Sequence, residues 1–256
     1  MEEAAQYGKI RRYNLIMGGL HLLQAILVFS LSNDFTLPIN RNLLTFNTTT
    51  STLDSTTSTL VDLPFGYMVA LFLLLSAIAH FTVSAPKIYD WYTKNLGKGR
   101  NYARWIEYFF SASLMIVLIS MLCGIYDLAA LLMAFALTGV MNLCGMIMES
   151  HNQITQKTNW LSYWVGTLAG IVPWIAIAIY FFGSLSGSSD NVPTFVWFIV
   201  PTLFIFFSSF AVNMVLQYKK VGKWKDYLYG EKVYILLSLV AKSALAWQVF
   251  GGTLRA

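Results

Sequence analysis

The chain has 256 residues, of which 57% are hydrophobic, 16% aromatic and only 11% charged. An ordinary soluble domain carries about 25% charged residues, so this composition excludes a molecule bathed in water on all sides. A net charge of +5 reads as a collar facing anionic lipid and not as a nucleic-acid footprint.

Seven apolar stretches follow one another along the chain: residues 13–31, 65–85, 105–125, 128–148, 161–182, 195–216 and 233–250. Each has about the 17–25 residues that a helix needs to cross a bilayer core. Alternation of period two is absent, which speaks against a membrane barrel. The expected fold is all-α, a seven-transmembrane-helix bundle forming one domain over residues 1–256.

The first stretch follows Lys9, Arg11 and Arg12, as a signal peptide would. Its apolar run is too long and no small-residue cleavage site follows, so it reads as a true span. The Gly18–Gly19 pair lets a neighbouring helix pack closely. The one long loop, roughly 33–63, comes next. Its segment "TFNTTTSTLDSTTSTL" has Ser or Thr at 11 of 16 positions; threonine favours strands, which leans the reading toward a hairpin over a flexible linker. Asn47-Thr48-Thr49 is a glycosylation sequon with meaning only in a secretory pathway.

The second span carries His80 and the third Glu107, with Ser111 one turn further on the same face. Arg104, just before the third span, reads as an interfacial anchor that also biases the Glu107 carboxylate. Cys123 and Cys144 lie at different depths of the third and fourth spans, which argues for two packing thiols and against a disulfide. Pro173 and Pro201 fall inside the fifth and sixth spans, where proline kinks a helix. The seventh span holds Ser238 and Lys242 in the run "LSLVAKSALAWQ".

Fourteen of the 17 Lys and Arg fall at the N-terminus and in the connections after the second, fourth and sixth spans. Arg41 and Arg255 lie on the other side, and Lys242 lies within a span. Positive residues stay in the cytoplasm. The expectation is therefore a multi-pass cell-membrane protein with a cytoplasmic N-terminus and an extracellular C-terminus.

Within the seven stretches there is one acid, Glu107, one strong base, Lys242, and the two histidines His21 and His80. An intramembrane charge costs at least about 2.5–3.5 kcal/mol, so it marks function by default. Lys242 lies nine residues past Val233, roughly 14 Å from the inner end at 1.5 Å per residue. Its side chain leans back toward the helix N-terminus, to the level of Ser238, Glu107, His80 and His21. Two readings stay open from the residues. One is a buried Lys–Glu ion pair, which seldom repays its desolvation. The other is a lysine with a lowered pKa that forms a Schiff base with an aldehyde, leaving Glu107 as the only candidate counterion.

The segments "RWIEYFFSASLMIVLISMLCGI", "AGIVPWI", "LQYKKVGKWKDYLYGE" and "LSLVAKSALAWQ" together resemble heliorhodopsin, across all seven spans. The resemblance implies all-trans retinal bound as a protonated Schiff base on Lys242, Glu107 as counterion, Ser238 beside the Schiff base, and His21 and His80 in an inner polar cavity. It also implies light-driven isomerisation to 13-cis, a slow photocycle with sensory or regulatory output, an inverted topology, and a homodimer to which the first outer loop contributes.

Proton-pumping rhodopsins place a second carboxylate where this chain has Leu118, eleven residues beyond Glu107, which argues against a pump. A light-gated or passive ion or proton conductor is the alternative closest to the main reading. A transporter using the Glu–Lys site would be expected to show paired repeats and interrupted helices, and neither is present. An enzyme would need a polar substrate pocket beyond these few groups, and none is evident. A histidine titrating near pH 6.5 can hold a released proton, whereas no ligand cluster points to a metal. Met141, Trp164 and Phe206 are candidate walls for the polyene, since such pockets are apolar and aromatic. A cytoplasmic signalling partner of unknown identity completes the reading.

Overall fold

The computed structural model describes residues 2–186 and 196–251; Phe195, at the expected start of the sixth span, and Arg255 lie outside them. The elements run α1 (Glu2–Leu31), β1 (Thr36–Asn47), β2 (Thr52–Pro64), α2 (Phe65–Ser84), α3 (Pro86–Leu96), α4 (Tyr102–Leu122), α5 (Leu128–His151), α6 (Leu161–Ser186), α7 (Val196–Tyr218) and α8 (Tyr227–Val249). Among the described residues, seven helices are long and apolar enough to cross a membrane, all but α3. They match the seven apolar stretches one for one, and the chain is a multi-pass membrane protein.

The helix ends follow caps and not hydropathy. Asn101 accepts a hydrogen bond from the Arg104 amide at the start of α4, Asp127 from Ala130 at the start of α5, and Asp226 from Leu228 at the start of α8. Each side-chain oxygen satisfies one of the donors that a helix start leaves over. As a result α8 begins at Tyr227, and α5 runs on to His151, where the backbone and side-chain amides of Asn152 both donate to the Met148 carbonyl. Both extend past the apolar runs that announced them, toward the end of the bundle where the basic residues lie. Glycine closes the other end of α4, where Gly124 takes φ +91°. Pro173 and Pro201 both sit inside continuous helices.

The Thr-rich segment is a two-stranded antiparallel hairpin, in register from Thr36 opposite Pro64 to Asn47 opposite Thr52, with an irregularity between Ile39 and Asn40. It is tied back to the bundle where the Asn40 amide donates to the Tyr126 carbonyl (2.8 Å) and Asn42 Nδ2 to Asp127 Oδ2 (3.1 Å). At its tip Asp54 accepts from Asn47 Nδ2 (2.8 Å) and Thr52 Oγ1 (2.9 Å). These bonds, Asn47 foremost, hold the Asp54 carboxyl below its ordinary value. A group with a depressed folded pKa stabilises above its unfolded pKa and loses that contribution as pH falls through the folded one. With the intrinsic pH dependence of exchange divided out, protection of the Thr49 to Thr52 amides is therefore expected to fall below about pH 4 and to stay constant there in Asp54→Asn. Equal acid sensitivity in the two proteins would refute this.

The hairpin half of the bundle is an apolar core in which Phe65, Val69, Phe72, Ile116, Leu118 and Ile177 are fully or almost fully buried. Leu118, the position where a pump would hold a carboxylate, is 0% exposed within it. Buried ionic side chains gather in the other half.

Candidate functional site

Lys242 is buried on α8, and its ammonium has three acceptors. It donates to Ser76 Oγ on α2 (2.6 Å), Glu107 Oε1 on α4 (2.7 Å) and Ser238 Oγ one turn earlier on α8 (3.1 Å). Ser76 in turn donates to the same carboxylate oxygen (2.6 Å). Three helices thus converge on one nitrogen, and each of its protons has a partner, which is what a buried charge requires. Ser111 is fully buried one turn beyond Glu107. The reading from residues missed Ser76, although it stands one turn before His80 in an otherwise apolar run.

Lys242 lines one cavity, and its three hydrogen-bond partners line a second of opposite character. On one side lies a space of about 370 Å³, within the range of small-molecule pockets, lined mainly by apolar and aromatic groups including Met115, Met141, Trp174, Phe204, Phe207 and Phe210. Glycines on α5 and α6 help to shape it: a Cβ at Gly145 would come within 2.4 Å of Trp105, and one at Gly170 within 2.2 Å of Met141 Sδ. On the other side is a polar space of about 40 Å³ bounded by Ser76, His80, Glu107, Ser238, Asn14, Tyr92, Asn101 and Arg104, room for about one water molecule. Tyr108 borders both spaces, and its ring centroid lies 5.3 Å from the Lys242 nitrogen.

Two expected wall residues are corrected. Trp164 is 63% exposed and does not line the large cavity; its helix turns Tyr163, Gly166, Thr167 and Gly170 toward it instead. Phe206 is also absent from the lining, because α7 presents Phe204, Phe207 and Phe210. Aromatic residues are so frequent on these helices that composition alone does not choose the face. Met141 lines the large cavity.

The two histidines stack at 5.5 Å between ring centroids. His80 Nδ1 donates to Asn14 Oδ1 (2.7 Å), and Asn14 Nδ2 reaches the Tyr92 hydroxyl (3.4 Å). Among the described residues no hydrogen bond joins either imidazole to Lys242 or Glu107. His21 is fully buried, with neither ring nitrogen partnered.

Arg104 overturns its expected role. It is only 7% exposed, and its guanidinium pairs with Glu149 of α5 and Glu231 of α8, not with Glu107. The two carboxylates are held further. Asn101 donates its amide to Glu149 (2.8 Å) and its side chain to Glu231 (2.7 Å), and Trp105 Nε1 donates to Glu149 (2.7 Å). The Tyr234 ring stacks with its centroid 3.8 Å from the guanidinium carbon. The expectation that Glu107 is the only acid in the spans is corrected with it. Both further acids lie just beyond the apolar runs, on helix turns that only capping and tertiary contact extend.

The large cavity fits retinal, an elongated apolar aldehyde, because its walls are mainly apolar and Lys242 offers it a primary amine. A family model described as heliorhodopsin matches residues 10–254. No curated protein matches the chain. Among solved structures, the chain is similar to the crystal structure of a light-driven proton pump from Leptosphaeria maculans, with 15% sequence identity and a TM-score of 0.62 over 94% of this chain and 96% of that one. At that identity the likeness speaks for the fold.

Proposed function

The chain belongs to the heliorhodopsin family of light-responsive retinal proteins, and we propose that it is a light sensor that moves a proton internally without pumping it. The observation that carries this reading is the position of Lys242 between an apolar cavity and a one-sided polar one. All-trans retinal, bound to Lys242 as a protonated Schiff base, would supply light absorption and isomerisation to 13-cis. The iminium nitrogen would keep a single N–H, for which Glu107 is the charged acceptor; Ser76, which donates to Glu107 (2.6 Å), would hold that carboxylate in place, and Ser238 flanks the nitrogen one turn earlier on α8. Among the described residues, the buried ionisable groups that a proton leaving that nitrogen can reach lie on one side: Glu107 first, then His80, which is bonded to Asn14 and through it to Tyr92. On the other side Leu118 is buried in an apolar core that, among the described residues, holds no carboxylate or imidazole, which speaks against net transfer across the membrane.

The excess of Lys and Arg at the end of the bundle holding the N-terminus supports a cytoplasmic N-terminus. The polar cavity then faces the cytoplasm, where the slow photocycle would be read by a signalling partner. The hairpin exposes Leu44 (70%), Phe46 (62%) and Leu53 (64%), an apolar patch of the kind that marks an interface. It supports a homodimer built partly through this loop.

The test is Glu107→Gln in the retinal-loaded protein. The visible band is expected to move to longer wavelength, and the pH at which it bleaches to fall by roughly 1–3 units, the effect of losing an opposite charge at this range. An unchanged spectrum and titration would show that another group balances the charge. Illuminated proteoliposomes are expected to show no net proton uptake or release, and a sustained pH change would sink the sensor reading in favour of transport.

A further inference from the structure

The short helix α3 is too brief to span, about 16 Å at 1.5 Å per residue, yet its two faces differ sharply. It leaves α2 through Ala85 in an extended conformation, with Pro86 at its first position, an arrangement that forbids α2 from continuing. Its inner face is anchored. Tyr92 and Leu96 are 2% exposed and pack with Ile10, Val83 and Leu228, and Arg11, which donates to the Ser84 carbonyl (2.9 Å), lies over the Tyr89 ring. The helix is therefore a fixed shelf and not a loose segment.

The outer face is graded around the helix. Ile88 (36% exposed) borders the buried side, Trp91 (44%) follows, then the exposed Lys87 and Lys94, with exposed Asp90 at the far flank. On α2, Ile78 (52%) and Phe81 (37%) are exposed on a membrane-spanning helix, and Ile88 and Trp91 are the next large apolar side chains exposed after the Pro86 turn. A tryptophan beside lysines, at the end of a lipid-facing strip, is the composition that settles among headgroups. The indole takes the interface and each ammonium rises to the phosphates.

We propose that α3 docks on the bilayer surface, with Trp91 and Ile88 in the headgroup layer and Lys87 and Lys94 binding anionic phospholipid phosphates. Each lysine favours the anionic surface about fivefold. The test needs no chromophore. The full chain carrying a spin label at Trp91→Cys is reconstituted in nanodiscs of phosphatidylcholine, with and without phosphatidylglycerol. Its two native cysteines are buried and unlabelled protein is the background.

The label at 91 is expected to be accessible to oxygen at headgroup depth, and to become less accessible to a water-soluble relaxant when phosphatidylglycerol is added. A label at Asp90→Cys is expected to remain water-exposed. Lys87→Gln with Lys94→Gln should weaken the anionic-lipid response roughly 25-fold, the product of two fivefold effects. Lys87→Arg with Lys94→Arg should keep it, which separates lost charge from lost folding. A label at 91 in a water-like environment in both compositions would overturn the proposal and leave the face to a soluble acidic partner. A response to phosphatidylglycerol that survives loss of both lysines would overturn it as well.

Discussion

Lys242→Ala is expected to abolish the visible absorption that retinal gives the protein, the largest spectral change expected of any substitution in the chain. Among the described residues, Lys242 is the one lysine lining the large apolar cavity, and the other lysines are exposed or half-buried. An imine can form only where an amine meets the aldehyde in a space that holds the polyene. The substitution also leaves the largely buried Glu107 carboxylate, 9% exposed, with Ser76 still donating to it but no cation beside it, and an orphaned buried charge from a broken pair costs about 3–5 kcal/mol. Lys242→Ala with Glu107→Gln removes both charges and serves as the folded control. The comparison is an absorbance spectrum of membranes with and without added all-trans retinal. A band that persists in either variant would refute the covalent attachment. Its absence from folded wild-type protein would return the Lys–Glu pair to the role of a structural or transport site.

Arg104→Met produces the largest expected loss of stability, about 3–5 kcal/mol. One guanidinium satisfies Glu149 and Glu231 together, and both carboxylates are essentially unexposed at 1% and 0%. Without Arg104 they face each other with no cation between them. Arg104→Lys recovers little, because a single ammonium cannot reproduce a fork that binds two carboxylates at once. Changing Glu149 and Glu231 to Gln in the Arg104→Met background should restore much of the loss, since neutral groups carry no charge penalty. Denaturant unfolding in detergent micelles measures the series. Wild-type stability in Arg104→Met would show that the cluster does not hold α4, α5 and α8 together at this end.

The legibility of these two sites differs for a physical reason. Lys242 and Glu107 stand out because each interrupts a long apolar run, and a charge there is costly enough to announce itself. Glu149 and Glu231 stand one and two residues outside the apolar runs as read. There they look like ordinary helix-end charges among the many on the basic side. Arg104 looks the same from the other side, where along one dimension it has the place of an interfacial anchor.

The amino-acid sequence by itself determined the solvent, the seven spans, the imbalance of basic residues and the single lysine inside the bundle. These follow from composition and order along one dimension, because bilayer thickness and desolvation act on each segment separately. Only the tertiary structure decided which face of each helix turns inward. It placed Phe207 and not Trp164 at the cavity, brought Ser76 to the lysine nitrogen and set two buried glutamates on one arginine. Those outcomes depend on the rotation of each helix against its neighbours, and on caps such as Asp226 that carry a helix past its apolar stretch. Packing between distant segments sets the rotation, and no single segment contains it.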